Sequence, residues 1–186
     1  MTIYAALLRG INVGAKHRMG MSDLAQALRD AGFSNVRTYI QSGNVLFESD
    51  GEEAELRERM ERTIERRFGF PVPVIIRTST ELHAILDHCP FTADEVQRAE
   101  EFSGVESLHV SMLPSPLQPE AVEKLKSFPL GGDRYTICGR DIYLLLQGGV
   151  HTSKLVMQIL KAAASVTMRN FKTMRQLAQM ADEMEK

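Results

Sequence analysis

Residues 3–9 run Ile-Tyr-Ala-Ala-Leu-Leu-Arg, an apolar stretch that stops at an arginine. Side chains of a strand alternate between two faces, so Ile3, Ala5 and Leu7 fall on one and Tyr4, Ala6 and Leu8 on the other. A strand apolar on both faces is covered on both, which excludes a half-solvated sheet position. A chain of 186 residues, 44% of them hydrophobic, has the material for such a core in one domain or two small ones.

The pattern that follows indicates the topology. A helix is expected over 22–31, with Ser22 as N-cap, Leu24, Leu28 and Ala31 as its apolar stripe and Gly32 as its stop. Strands at 36–41 and 44–48 flank Ser42-Gly43, a tight-hairpin signal. A helix at 52–67 follows, with Leu56, Met60, Ile64 and Phe68 at four-residue steps and Glu/Arg pairs along a solvated face. Pro71 and Pro73 bracket the start of a strand at 74–77. The first 78 residues thus read β-α-β-β-α-β, the ferredoxin-like order. Thr78 and Glu81 form a capping-box pattern opening another helix.

Polar residues 91–105, a short helix or ordered loop, mark the expected boundary, giving domains 1–90 and 91–186. The second half repeats the rhythm: a strand at 107–113, a short helix at 120–127, strands at 134–138 and 141–146 around Gly139, and helices at 153–163 and 170–185. It reads β-α-β-β-α-α, without an evident final strand. The expected fold class is α+β: two ferredoxin-like (α/β-plait) subdomains with antiparallel sheets, plus an extra C-terminal helix.

Several function classes lack support. A net charge of −2 gives no global attraction to nucleic acid or to an anionic membrane. No run approaches the roughly 18 apolar residues of a membrane helix, and the N-terminal stretch has no basic n-region, so a cytoplasmic protein is expected. Cys89 and Cys138 are far apart and outside any C-x-x-C, which argues against a disulfide framework and for two buried small hydrophobes. The five histidines form no metal-ligand spacing, and neither G-x-x-x-x-G-K-[ST] nor G-x-G-x-x-G occurs, so no metal and no cofactor is expected. No residue reads as a general base, and enzyme status stays open.

Four clusters are candidates for a site. Arg9, Gly10, Asn12, Gly14, Lys16 and Arg18 lie between the first strand and the first helix. They suit an anion cradle of backbone N–H groups, an amide and cations; glycine and asparagine alone also suit a bare strand-to-helix turn. Gln41, Ser42 and Asn44 occupy the hairpin, where turn chemistry accounts for them as well. Ser153 and Lys154 open a helix after two glycines; a cation at a helix start is unfavourable unless an anion offsets it, and ordinary capping by Thr152 or Ser153 beside a solvated lysine accounts for the pattern as well. Arg169 and Asn170 precede the last helix, with Asn170 placed to cap it.

The segments 7–14 (LLRGINVG) and 38–44 (TYIQSGN), with Pro90-Phe91, Ser153-Lys154-Leu155, Arg169-Asn170 and Thr173, resemble a widespread, mostly bacterial family of unknown function. The resemblance covers essentially the whole chain. It implies two ferredoxin-like units and no reaction. This chain departs from the family pattern at Ala15-Lys16-His17, usually Gly-Lys-Asn, and at Met168-Arg169-Asn170-Phe171, usually Thr-Arg-Asn-Trp.

Three functional readings follow. The first is binding of a phosphorylated or otherwise anionic small molecule at the glycine-rich basic loops. The second is single-stranded nucleic-acid binding, for which Tyr4, Tyr39 and Phe47 are the candidate stacking aromatics. The third is a protein-interaction module without catalysis, with a homodimer as one form. A membrane is not among the expected partners.

Overall fold

The computed structural model describes residues 1–163 and 165–186. Its elements are β1 (Thr2–Leu8), α1 (Met21–Asp30), β2 (Ser34–Tyr39), β3 (Asn44–Ser49), α2 (Glu53–Phe68), β4 (Val74–Thr78) and α3 (Ser79–Asp87). Next come α4 (Ala93–Ser103), β5 (Leu108–Met112), α5 (Pro119–Ser127), β6 (Arg134–Cys138), β7 (Asp141–Leu145), α6 (Lys154–Ala162), β8 (Thr167–Asn170) and α7 (Phe171–Met184). They form two four-stranded antiparallel sheets, ordered β2-β3-β1-β4 and β6-β7-β5-β8. The α+β fold of two plait subdomains is therefore present.

The second sheet corrects the β-α-β-β-α-α reading. β8 completes it, pairing Thr167 with Met112 and Asn170 with His109. Four residues reading Thr-Met-Arg-Asn have no apolar alternation to announce a strand. With β8 in place, each sheet has the same strand order and each last strand runs straight into a helix. The succession β-α-β-β-α-β-α thus occurs twice, with α4 between.

Two boundaries also move. β1 ends at Leu8, so Arg9 is the first residue beyond the strand. α1 starts at Met21 behind an extended Gly20 that makes no side-chain cap, and Ser22 is an exposed first-turn residue rather than the N-cap. The capping box at Thr78 is as expected: Glu81 accepts from the Thr78 N–H at 2.9 Å, and Thr78 Oγ1 accepts from the Glu81 N–H at 3.1 Å. The cysteines are not buried: Cys89 is half-buried and Cys138 exposed.

The chain divides into two compact units, Met1–Ala84 with Met174–Lys186, and Ile85–Thr173. By proximity most of α7 groups with the first unit, whereas sequence order puts it with residues 91–186. In the first unit His83 Nε2 lies 2.8 Å from Asp182 Oδ1, and Ser79 Oγ donates to Glu185 Oε1 at 3.1 Å. The first core joins Tyr4, Ala6 and Leu8 of β1 to Leu24 and Leu28 of α1 and Leu56, Met60 and Ile64 of α2. Ile3, Ala5 and Leu7 are buried as well, as a strand apolar on both faces requires. The second core joins Ile142 and Leu144 of β7 to Leu155, Val156 and Ile159 of α6.

Candidate functional site

At the end of β1 three segments meet. The Leu8 N–H donates to the Gly43 carbonyl at 2.8 Å, and the Arg9 N–H to the Pro73 carbonyl at 3.0 Å. The register Leu7↔Asn44 places the hairpin turn beside the C-terminal end of β1. The connection from Arg9 to Gly20 therefore emerges between the β2–β3 turn and the residues preceding β4.

That connection is held in a fixed shape. Gly10, Asn12, Gly14 and His17 all take positive φ, +69°, +54°, +61° and +51°. Glycine adopts this region freely and asparagine tolerates it; histidine requires a reason. His17 stacks on Phe70 with centroids 4.6 Å apart, and its Nδ1 lies 3.3 Å from the Gly10 carbonyl. Asn12 ties the loop together: its Nδ2 donates to the Met19 carbonyl at 2.9 Å and the Gln41 carbonyl at 2.8 Å, while its Oδ1 accepts from the Met19 N–H at 2.8 Å. Its own N–H donates to the His17 carbonyl at 3.1 Å, and Val13 and Lys16 pair across a tight turn. The Asn12 amide thus positions the loop.

What this frame displays is basic. Gly10, Gly14, Lys16 and Arg18 are exposed and Arg9 is half-buried. No carboxylate occurs in the sequence before Asp23. A Cβ built on Gly10 or Gly14 would meet nothing within 4 Å. Gly43 differs: a Cβ there would come within 2.7 Å of Ile11 Cδ1 and 2.8 Å of Leu8 Cβ. The glycine at 43 is required by close packing, whereas those at 10 and 14 leave open surface beside the cations.

Of the hairpin candidates, Gln41 and Ser42 are exposed and Asn44 is fully buried. Asn44 Nδ2 donates to the Tyr39 carbonyl and to Ser42 Oγ, both at 3.0 Å, so it holds the turn. His17, Phe70 and Pro73 contribute as well, although their residue types do not mark them as site residues.

The remaining candidates lie in the second unit. Ser153 caps α6, accepting from the Val156 N–H at 3.1 Å and donating to Asp133 Oδ2 at 2.6 Å, while Asp133 Oδ1 accepts from the Gln147 N–H at 2.9 Å. Lys154 is exposed and, with Asp133 and Ser153, lines an open groove of about 310 Å3. Asp133 brings a carboxylate to this helix start, so the negative charge that sequence reasoning sought from a ligand has an internal source. Arg169 is buried, and that burial lowers its guanidinium to about 10. It donates to Thr167 Oγ1 and the Met168 carbonyl, both at 2.8 Å. Asn170 caps α7 through the Thr173 N–H at 2.8 Å and also donates to Glu106.

The candidate aromatics do not form an exposed stacking platform. Tyr4 and Phe47 stack on each other in the first core, 5.5 Å apart, and are buried; Tyr39 is half-buried.

Fold and site together define an α+β protein of two plait units, one of which bears an elaborated basic loop. The chain belongs to the family described as protein of unknown function (DUF1697), whose model matches residues 1–143. That span includes both the basic loop and the hairpin at its side. The solved structure of a conserved bacterial protein from Streptococcus pneumoniae is similar over 98% of this chain and 99% of its own, at 25% identity and a TM-score of 0.76. A flavin-dependent monooxygenase from an unknown prokaryotic organism is 36% identical over 85 residues, which are 46% of this chain and 21% of that protein. The match thus spans about a fifth of that relative's length. Among the described residues no helix is long and apolar enough to cross a membrane.

Proposed function

We propose that the protein binds a phosphorylated or otherwise anionic small molecule at the loop of residues 9–18. Arg9, Lys16 and Arg18 supply charge, and the backbone around Gly10 and Gly14 supplies N–H donors at close approach. The observation that carries this reading is a loop fixed by Asn12 and His17 that exposes cations and no carboxylate. A frame fixed in advance lowers the ordering cost of binding. The two segments on which the resemblance chiefly rests, 7–14 and 38–44, are the two that meet here, and we read them as the signature of this site.

A thermal-shift screen tests it. The panel is inorganic phosphate, sulfate, nucleotides, sugar phosphates, coenzyme A, flavin nucleotides (a class suggested by the monooxygenase relative) and short RNA and DNA strands. A ligand at about a hundredfold excess over its Kd stabilises by roughly 2.7 kcal/mol, a shift of several degrees. The shift is expected to vanish in Lys16→Ala or Arg18→Ala. A flat panel returns the loop to plain turn chemistry, and a hit confined to oligonucleotides moves the function to nucleic-acid binding.

A further inference from the structure

Strands β2, β4, β6 and β8 border the two sheets. An edge strand presents backbone donors and acceptors that its own sheet does not pair, and proteins usually blunt such edges. β2 is blunted by a register shift between Ser34 and Arg37, where Asn35 takes a φ of +46°. β4 is buried over four of its five residues, and β8 at alternate positions. β6 carries one charged residue, Arg134 at its start, and no other such device. Its five residues keep unbroken register with β7, are exposed or half-exposed throughout, and include neither lysine nor proline.

The turn after β6 decides which groups face outward. Gly139, at φ +59°, and Arg140 form a two-residue hairpin loop between Cys138 and Asp141. The closing pair of such a loop exchanges both backbone bonds, and bonded pairs alternate from there. Arg134, Thr136 and Cys138 therefore direct their N–H and C=O groups to β7, while Tyr135 and Ile137 direct theirs to the outer edge. Among the described residues no backbone bond meets them from that side.

We propose that β6 pairs antiparallel with β6 of a second copy of this chain, about a two-fold axis at Thr136. In that register Tyr135 of each copy lies opposite Ile137 of the other, and the two pairs make four N–H···O bonds. An aromatic residue facing a β-branched one is a favourable cross-strand pair. Tyr135 and Ile137 already pack on the second core, so the pairing extends an apolar surface. Arg134, the strand's one charged residue, lies opposite Cys138, and like charges do not meet. One segment thus supplies both halves of the pattern, the property of an isologous contact that closes at two copies. A five-residue ribbon is a small interface, so the association is weak and concentration-dependent.

Sedimentation of the full chain over a range of concentrations, with two variants, tests this independently of the anion site. Ile137→Pro deletes an outward N–H and spares the bonds to β7. It is expected to weaken the dimer at least about tenfold with the circular dichroism unchanged. Thr136→Cys, in a Cys89→Ser, Cys138→Ser background, places two thiols at a pair whose Cα atoms sit about 4.5 Å apart, within disulfide reach. Mild oxidation is expected to give a covalent dimer; should Ile137→Pro fail to fold, this cross-link decides the matter. A chain that stays monomeric and does not cross-link through position 136 overturns the proposal. So does a dimer that withstands Ile137→Pro without that cross-link, because another surface then holds it.

Discussion

The two plait units differ most where their first strands lead into their first helices. In the second unit the passage from β5 to α5 takes six residues, 113–118, punctuated by Pro114 and Pro116, and Pro119 opens the helix. In the first unit the passage from β1 to α1 takes twelve, 9–20, with four positive φ angles. The hairpins differ in the same sense: four residues at 40–43 against two at 139–140. Topology therefore needs only the shorter connections. Both surpluses sit at one end of one sheet and bond to each other through Asn12 and Gln41. Loops carried on a rigid scaffold are where function is placed, and the second unit serves as the internal control that shows which loop exceeds structural need.

Substitutions at the two turns should separate them most. Gly43→Ala combines a left-handed backbone with a collision against Leu8 and Ile11, and is expected to cost about 3 kcal/mol or more. Gly139→Ala meets open space, and should cost only the backbone term, about 1 kcal/mol. Denaturant midpoints compare them, and equal losses would mean that the close packing at Gly43 is not the constraint.

Next in size are the two anchors. Asn12→Ala removes three side-chain bonds and should cost about 2 kcal/mol, with faster amide exchange confined to residues 10–19. Ser153→Ala removes a helix cap and the Asp133 bond, about 1–2 kcal/mol, and should leave that exchange untouched. Should Ser153→Ala also loosen residues 10–19, the anchors are not independent.

The pH response comes third. Burial pushes the His109 imidazole below its ordinary value of 6.5, against smaller opposing effects of a backbone bond to Ser107 and of Glu106 and Glu100. Above that value the ring is neutral folded and unfolded. As pH falls below it, the unfolded chain takes up a proton that the fold refuses, so stability declines, by at most about 1.4 kcal/mol per pH unit. Urea midpoints between pH 7.5 and 5.5 should show the decline, and His109→Leu should flatten it. A slope that persists in the variant assigns the effect elsewhere.

Lys16→Ala and Arg18→Ala should have the smallest effect, within about 0.5 kcal/mol, because both side chains are exposed. A larger loss in ligand-free melting would make them structural and remove them from the proposed site.

Regular periodicity made much of this molecule legible in the sequence. Leu56, Met60 and Ile64 of α2 and the stripe Phe171, Met174, Leu177, Ala178, Ala181 and Met184 of α7 are buried as their spacing requires. β8 escaped because Arg169 stands inside it, and an arginine reads as buried only once Thr167 and Met168 are seen to receive it. Ser22 was the expected cap because its side chain suits one, yet the entry to α1 is fixed from upstream by Asn12 gripping Met19. At Thr92 the reverse holds: its hydroxyl and the Glu95 carboxylate form a full capping box, and the Thr-x-x-Glu spacing in the sequence is enough to indicate it. Arg134 assists there, and Glu95 is held down at about 2 chiefly by its bond to the Thr92 backbone. For the basic loop, residue types were readable but the frame was not, since Asn12 reaches Gln41 and His17 reaches Phe70, far along the chain.

The bonds from α3 to α7 set an order of events during synthesis. His83 and Ser79 find Asp182 and Glu185 across 99 and 106 residues. All four strands of the first sheet have left the ribosome long before those carboxylates exist. At elongation rates of about 5–20 residues per second the delay is about 5–20 s. Throughout it the surface of α3 that they engage stands open to chaperones, while the second unit is still being made. The sheet that is translated first thus belongs to the unit that is completed last.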